Sequence, residues 1–176
     1  PRTPNPPAGA VLDYLLPSPA KSVVLEVFDA EGALIHRQTS DAAPPRVEAE
    51  QYFADRWLKA PGPLPTAPGH HRVVWNLRVP RPPAVAYDYS IAAVPDADTP
   101  AVPQGLLALP GKYTVKLTVD GQLKHAALDV VMDPRVKTPL ADLQTQHAFA
   151  AEIAKALAAA VSLHEEAAAM DKRVAT

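Results

Sequence analysis

The chain has 176 residues, with 17 Lys and Arg against 19 Asp and Glu and a formal net charge of −2. That balance argues against a nucleic-acid or anionic-membrane binder, which gains its affinity from a basic surface. The absence of cysteine excludes disulfides, thiolate nucleophiles and cysteine-ligated zinc or iron–sulfur sites. Twenty-one prolines stand against seven glycines, yet 48% of residues are hydrophobic. Disorder needs low hydrophobicity and high net charge, so the proline-rich part is expected to be short strands joined by stiffened loops. No apolar run reaches the ~18 residues of a membrane-spanning helix. The chain opens at Pro1 with no signal-peptide pattern, which suggests a fragment or a processed product of something longer.

Taken in order, Gly9 to Leu16 reads as a strand entered from the proline-rich opening. Ser22 to Phe28 and Ala33 to Gln38 read as strands flanking Asp29-Ala-Glu-Gly32, a type I turn closed by a left-handed glycine. Residues 47–60, between Pro44-Pro45 and Pro61-Gly62, are predicted as a short helical or irregular insert laid over the strands. Pro68-Gly69 launches a strand over His70 to Arg78, with Trp75 placed to fill the gap between two sheets. Residues 80–110 form a long Pro-rich loop, with one strand near Tyr87 to Val94. Pro110-Gly111 opens a further strand in which Tyr113, Val115, Leu117 and Val119 alternate with Thr114, Lys116, Thr118 and Asp120, one face buried and one wet. Asp120-Gly121 supplies a type I′ turn, and Leu123 to Met132 returns as the partner strand. Asp133-Pro134 ends it.

Composition changes at Pro139. The last 38 residues hold 13 alanines, no glycine and that one proline. Thr138 as N-cap and Pro139 at the first helical position open a helix, with Asp142 placed to favour its dipole. Leu140, Leu143, Ala150, Ile153, Leu157 and Val161 recur at three- and four-residue steps as one apolar stripe. Beyond Val161 the stripe weakens and no Gly or Asn cap follows, so the helix is expected to be truncated or to fray. Short strands, turn signals and hairpins favour a mainly β fold, an antiparallel β-sandwich over residues 1–137, followed by a C-terminal α-helix over 138–176.

Four segments in this order, Asn5-Pro-Pro-Ala-Gly-Ala-Val-Leu-Asp-Tyr14, Gly69-His-His-Arg-Val-Val-Trp-Asn-Leu-Arg78, Pro110-Gly-Lys-Tyr-Thr-Val-Lys-Leu-Thr-Val-Asp-Gly121 and Asp133-Pro-Arg135, resemble a known family. They look like the C-terminal region of bacterial secreted proteins with sortilin-type (BNR-repeat) β-propellers, often labelled glycosyl hydrolase-like. The resemblance covers residues 2–176. It implies an immunoglobulin-like or fibronectin-type sandwich after the propeller, helices after Asp-Pro-Arg, and a secreted or cell-envelope location. The sequence departs at Asn76, where the family commonly has Asp, and a carboxylate role there is lost.

Candidate chemistry is sparse. A glycosidase needs two carboxylates on rigid elements around a cleft; Glu48 with Glu50 and Asp96 with Asp98 fall instead in the insert and the Pro-rich loop. Asp96-Ala-Asp98 lacks the further ligand and glycine of a calcium loop. His70-His71 sit on a strand, where neighbouring side chains point to opposite faces and cannot easily grip one ion. His36, His125, His147 and His164 follow no ligand pattern, and Ser22, Ser40, Ser90 and Ser162 lie in no nucleophile elbow. No catalytic residue, metal site or cofactor is therefore expected in this chain. Tyr52, Phe53 and Trp57 form the aromatic cluster on which a sugar could stack, with Tyr87 and Tyr89 a weaker pair. The expected function is a non-catalytic accessory or interaction domain, bracing the β-propeller of the same parent chain or mediating protein contacts. The alternative is a carbohydrate-binding module using Tyr52, Phe53 and Trp57; a hydrolase in its own right is the third and weakest reading. The helix packs on the sandwich or forms half of a coiled or bundled assembly, and its incomplete stripe favours a partner outside this chain. Neither nucleic acid nor a membrane span enters any of these readings.

Overall fold

The computed structural model describes residues 9–43, 62–83 and 105–174. These fall into two compact units: 9–43, 62–79 and 107–137 in one, and 80–83, 105–106 and 138–174 in the other. The first unit is built of strands. β1 (Ala10–Leu16) pairs antiparallel with β4 (Gly69–Trp75), setting Tyr14 opposite His71 and Ala10 opposite Trp75. β2 (Val23–Phe28), β3 (Leu34–Thr39), β5 (Gly111–Val119) and β6 (Gln122–Val130) form a second antiparallel sheet in the order β3-β2-β5-β6.

Strand alternation explains how these sheets make a core. In β2, Val23, Leu25 and Val27 point to one face and are at most 3% exposed, while Val24, Glu26 and Phe28 point away. On the far face Glu26 meets Arg37 at 3.3 Å and Lys116 lies 4.1 Å over the Phe28 ring, cross-strand pairs of the kind that support a wet sheet face. Tyr14, Leu16 and Trp75 from the two-stranded sheet join Val23, Leu25, Val27, Tyr113 and Val115 from the four-stranded one in a single buried cluster closed by Leu64. Each such side chain contributes about 1.5–3 kcal/mol on burial. The described part of the chain is thus mostly β, two antiparallel sheets over one core, with one C-terminal helix.

The turns follow their local chemistry. Asp29 accepts the Ala33 amide on Oδ1 at 2.7 Å and Gly32 takes φ 84°, as a left-handed closing residue requires. Asp120 and Gly121 both have positive φ, 48° and 85°, the signature of a two-residue type I′ turn. Two strands stop short of their predicted ends, and one of them is β6, which finishes at Val130 rather than Met132. β4 finishes at Trp75 rather than Arg78, because Asn76 Oδ1 accepts the Arg78 amide at 3.2 Å and Leu77 adopts φ 57°. That side-chain-to-backbone bond turns the chain out of the ladder, and Arg78 forms an isolated bridge with Leu107. The predicted insert at 47–60 and the strand near Tyr87 to Val94 lie outside the described residues.

α1 (Leu140–Val174) runs for 35 residues. Its first carbonyl is that of Pro139, which accepts from the Leu143 amide at 3.2 Å, so the helix opens one residue later than Thr138 capping would have it. Asp142 in the first turn and Lys172 and Arg173 in the last complement the dipole. The predicted apolar stripe is corrected. Leu140, Ile153 and Leu157 are 49%, 54% and 42% exposed, whereas the shielded side carries Leu143, His147, Ala154, Ala158 and the buried Val161. Alanines occur on every side of this helix, so three- and four-residue spacing does not single out one face.

Candidate functional site

One cluster of side chains in the strand unit surrounds the end of β4. Trp75 is 1% exposed, and its indole N–H donates to the Arg78 carbonyl at 2.9 Å. Ala108 donates to the Leu77 carbonyl at 2.7 Å, fastening the corner that follows. Gly9 approaches from the start of β1 with φ 141°, where a β-carbon would overlap the Trp75 carbonyl oxygen; only glycine allows the two backbones so close. The Tyr113 ring meets Trp75 edge-on, centroids 5.6 Å apart, and the His36 ring lies 6.1 Å away on β3. Burial pushes the His36 imidazole below its ordinary pKa of 6.5. Burial, followed by the Asp29 and Glu31 charges, pushes the Tyr113 phenol upward. Its hydroxyl donates to the Leu109 carbonyl at 2.6 Å. These three rings stabilise the strands; among the described residues none is paired with a nucleophile.

A second constellation occupies the outward face of the β1–β4 pair. Register sets Asp13 opposite Arg72, and the guanidinium grips the carboxylate twice, Nε to Oδ1 at 2.8 Å and Nη2 to Oδ2 at 2.9 Å. Those bonds hold the Asp13 carboxyl below its ordinary range, with Arg72 and His70 charges adding to the effect. His70 Nε2 lies 3.6 Å from the same carboxylate. His71 goes to the other face, its ring 5.1 Å from Tyr14 and its Nε2 2.7 Å from the Ala67 carbonyl. Around the ion pair, Val11, Leu15 and Val74 stand 40%, 69% and 38% exposed.

Asp133-Pro-Arg135 closes on itself. Asp133 accepts the Arg135 amide at 2.9 Å and its guanidinium at 2.6 Å, and Lys137 Nζ donates to the Pro134 carbonyl at 2.8 Å. The Arg135 hydrogen bonds lower the Asp133 pKa. The motif is a clamped turn that follows β6.

Tyr52, Phe53 and Trp57 lie outside the described residues, as do Glu48, Glu50, Tyr87, Tyr89, Ser90, Asp96 and Asp98. Among the described residues no three His, Asp or Glu side chains gather as a metal site, and no helix is long and apolar enough to cross a membrane. The Asp13–Arg72 pair was not found from sequence, because 59 positions separate the partners and only the strand register brings them together. Comparisons of the chain with protein-family models, with curated proteins and with solved structures find no match.

Proposed function

We propose that this chain is a non-catalytic accessory module of a larger secreted protein, an immunoglobulin-like sandwich with an appended helix. It would brace a β-propeller of the same parent chain, or mediate protein contacts. The observation that carries this reading is where the chemistry-bearing side chains spend their polar atoms. Tyr14 and Tyr113 donate to the backbone carbonyls of Pro65 and Leu109, Trp75 donates to that of Arg78, and Asp13 and Asp133 are gripped by Arg72 and Arg135. Groups committed to holding strands and turns are poor candidates for acid–base or nucleophilic work, which needs a base within reach of the proton it moves. The four ordered motifs support the same reading, since the described residues of each have a structural role in a strand, a corner or a turn. Val11, Leu15 and Val74 around the Asp13–Arg72 pair offer an apolar contact area with a polar centre.

Two measurements test it. On a panel of chromogenic glycosides the protein should give no turnover above buffer; hydrolysis abolished by a single carboxylate change would overturn the non-catalytic reading. The parent's propeller, added as a separate protein, should bind this chain, and Leu15→Asp should weaken that binding about tenfold, the equivalent of about 1.4 kcal/mol. Absence of binding ends the bracing role. Binding to a glycan array that disappears in Trp57→Ala would favour the carbohydrate-binding alternative instead.

A further inference from the structure

α1 presents a second apolar face, distinct from its shielded side. Phe149, Ile153, Leu163, Met170 and Val174 project from it with exposures of 65%, 54%, 66%, 57% and 87%. Ala156, Ala160 and Ala167, also exposed, fill the steps between them, so that the series advances by four and three residues without interruption from 149 to 174. That is the a and d spacing of a heptad repeat, sustained over more than three heptads. The seam is roughly 38 Å long at 1.5 Å per residue. Leaving five large side chains of one seam in water is costly, at about 25 cal/mol per Å² of apolar surface.

We propose that a second copy of this chain covers the seam, with the two α1 helices antiparallel about a two-fold axis. The charges beside the seam select both the orientation and the occupant. With Ile153, Ala160, Ala167 and Val174 at a, the g positions are Glu152, Ala159, Glu166 and Arg173 and the e positions Ala150, Leu157, His164 and Asp171. In a parallel pair g faces the e position five residues on, which sets Glu166 against Asp171 and forms no pair of opposite charge. In an antiparallel pair g faces g. With Ile153 opposite Met170 of the second copy, Glu152 meets Arg173, and the two-fold axis repeats the pair at the other end. Packing agrees. The parallel arrangement stacks leucine on leucine and alanine on alanine, so the helix separation would have to widen and narrow along the seam. The antiparallel register sets Leu163 over Ala160 and Phe149 over Val174, large against small or medium, with Ile153 over Met170 and Ala156 over Ala167 in the other two layers. This self-association stands independently of the accessory role, since it uses none of the residues on which that role rests.

Sedimentation of the full chain from micromolar to hundreds of micromolar concentration should show a monomer–dimer equilibrium. Leu163→Glu should weaken the dimer at least about 100-fold, because it places a carboxylate in a dry seam, while its circular dichroism stays that of the parent. Glu152→Arg should weaken it less, and adding Arg173→Glu should restore it, a rescue that a parallel pair would not give. With no cysteine in the chain, Ile153→Cys mixed with Met170→Cys should oxidise to the heterodimer. A monomer at every concentration, a dimer indifferent to Leu163→Glu, or preferential self-linking of Ile153→Cys would each overturn the proposal.

Discussion

His36 shows how a single side chain records its place in the sandwich-like core. It lies opposite Val27 on β3, with its ring against Trp75, and burial lowers its pKa below 6.5. The folded state therefore takes up a proton less readily than the unfolded chain, whose histidine titrates near 6.5. Stability from this group is complete above that value and declines as pH falls below it, until the folded pKa is passed. The lowered carboxyls of Asp13, Asp41 and Asp133 act in the same direction, but in the window below their unfolded value of 3.8. The two windows open at different pH, the first at the histidine's unfolded value and the second at the carboxyls'. The urea midpoint should accordingly drop between pH 7 and pH 5, and His36→Leu should flatten that part of the profile while leaving the acid limb in place. An unchanged slope in His36→Leu would show that the imidazole does not carry it.

At the scale of elements, the β5–β6 hairpin does more than reverse the chain. Asp120 Oδ1 accepts the backbone amides of Lys21 and Ser22, both at 2.8 Å, and the Asp120 amide donates to the Ser22 carbonyl at 3.0 Å. One turn residue thus fixes where β2 begins, across 98 positions of sequence. Asp120→Ala removes an acceptor from two amides and puts alanine at positive φ, so it should lower stability by about 1–2 kcal/mol. Asp120→Asn keeps both the acceptor oxygen and the tolerance of left-handed backbone and should retain most of it; denaturant midpoints of the two variants make the comparison. The turn itself was legible in the sequence because Asp-Gly between alternating strands is a local signal. Its tether to β2 was not, since nothing local marks Lys21 and Ser22 as donors. The same division holds elsewhere. Trp75 as the filler between sheets was readable from size and setting, while the early end of β4 depended on how Asn76 and Leu77 fold back. The burial of α1 was the least readable feature, because alanine contributes too little to tell one helix face from another, and the exposed heptad emerged only from the exposures of Phe149, Leu163 and Met170.

At the scale of the whole chain, composition and structure divide at the same place. Twenty of the twenty-one prolines precede residue 139, and the strand unit ends at 137. Among the described residues, the buried cluster from Tyr14 to Val115 is made by the strands and by Leu64 between them. A core built from strand residues should survive loss of the helix. Ending the chain after Lys137 is therefore expected to leave a protein with strand-type circular dichroism, a retained aromatic near-ultraviolet signal and a cooperative urea transition. The same shortened chain should sediment as a monomer at concentrations where the full chain dimerises, because the heptad seam has gone with the helix. A molten or insoluble product would mean instead that the helix covers apolar strand surface. A shortened chain that still dimerises would move the self-association to the strands, where Val11, Leu15 and Val74 are the exposed apolar side chains of one face.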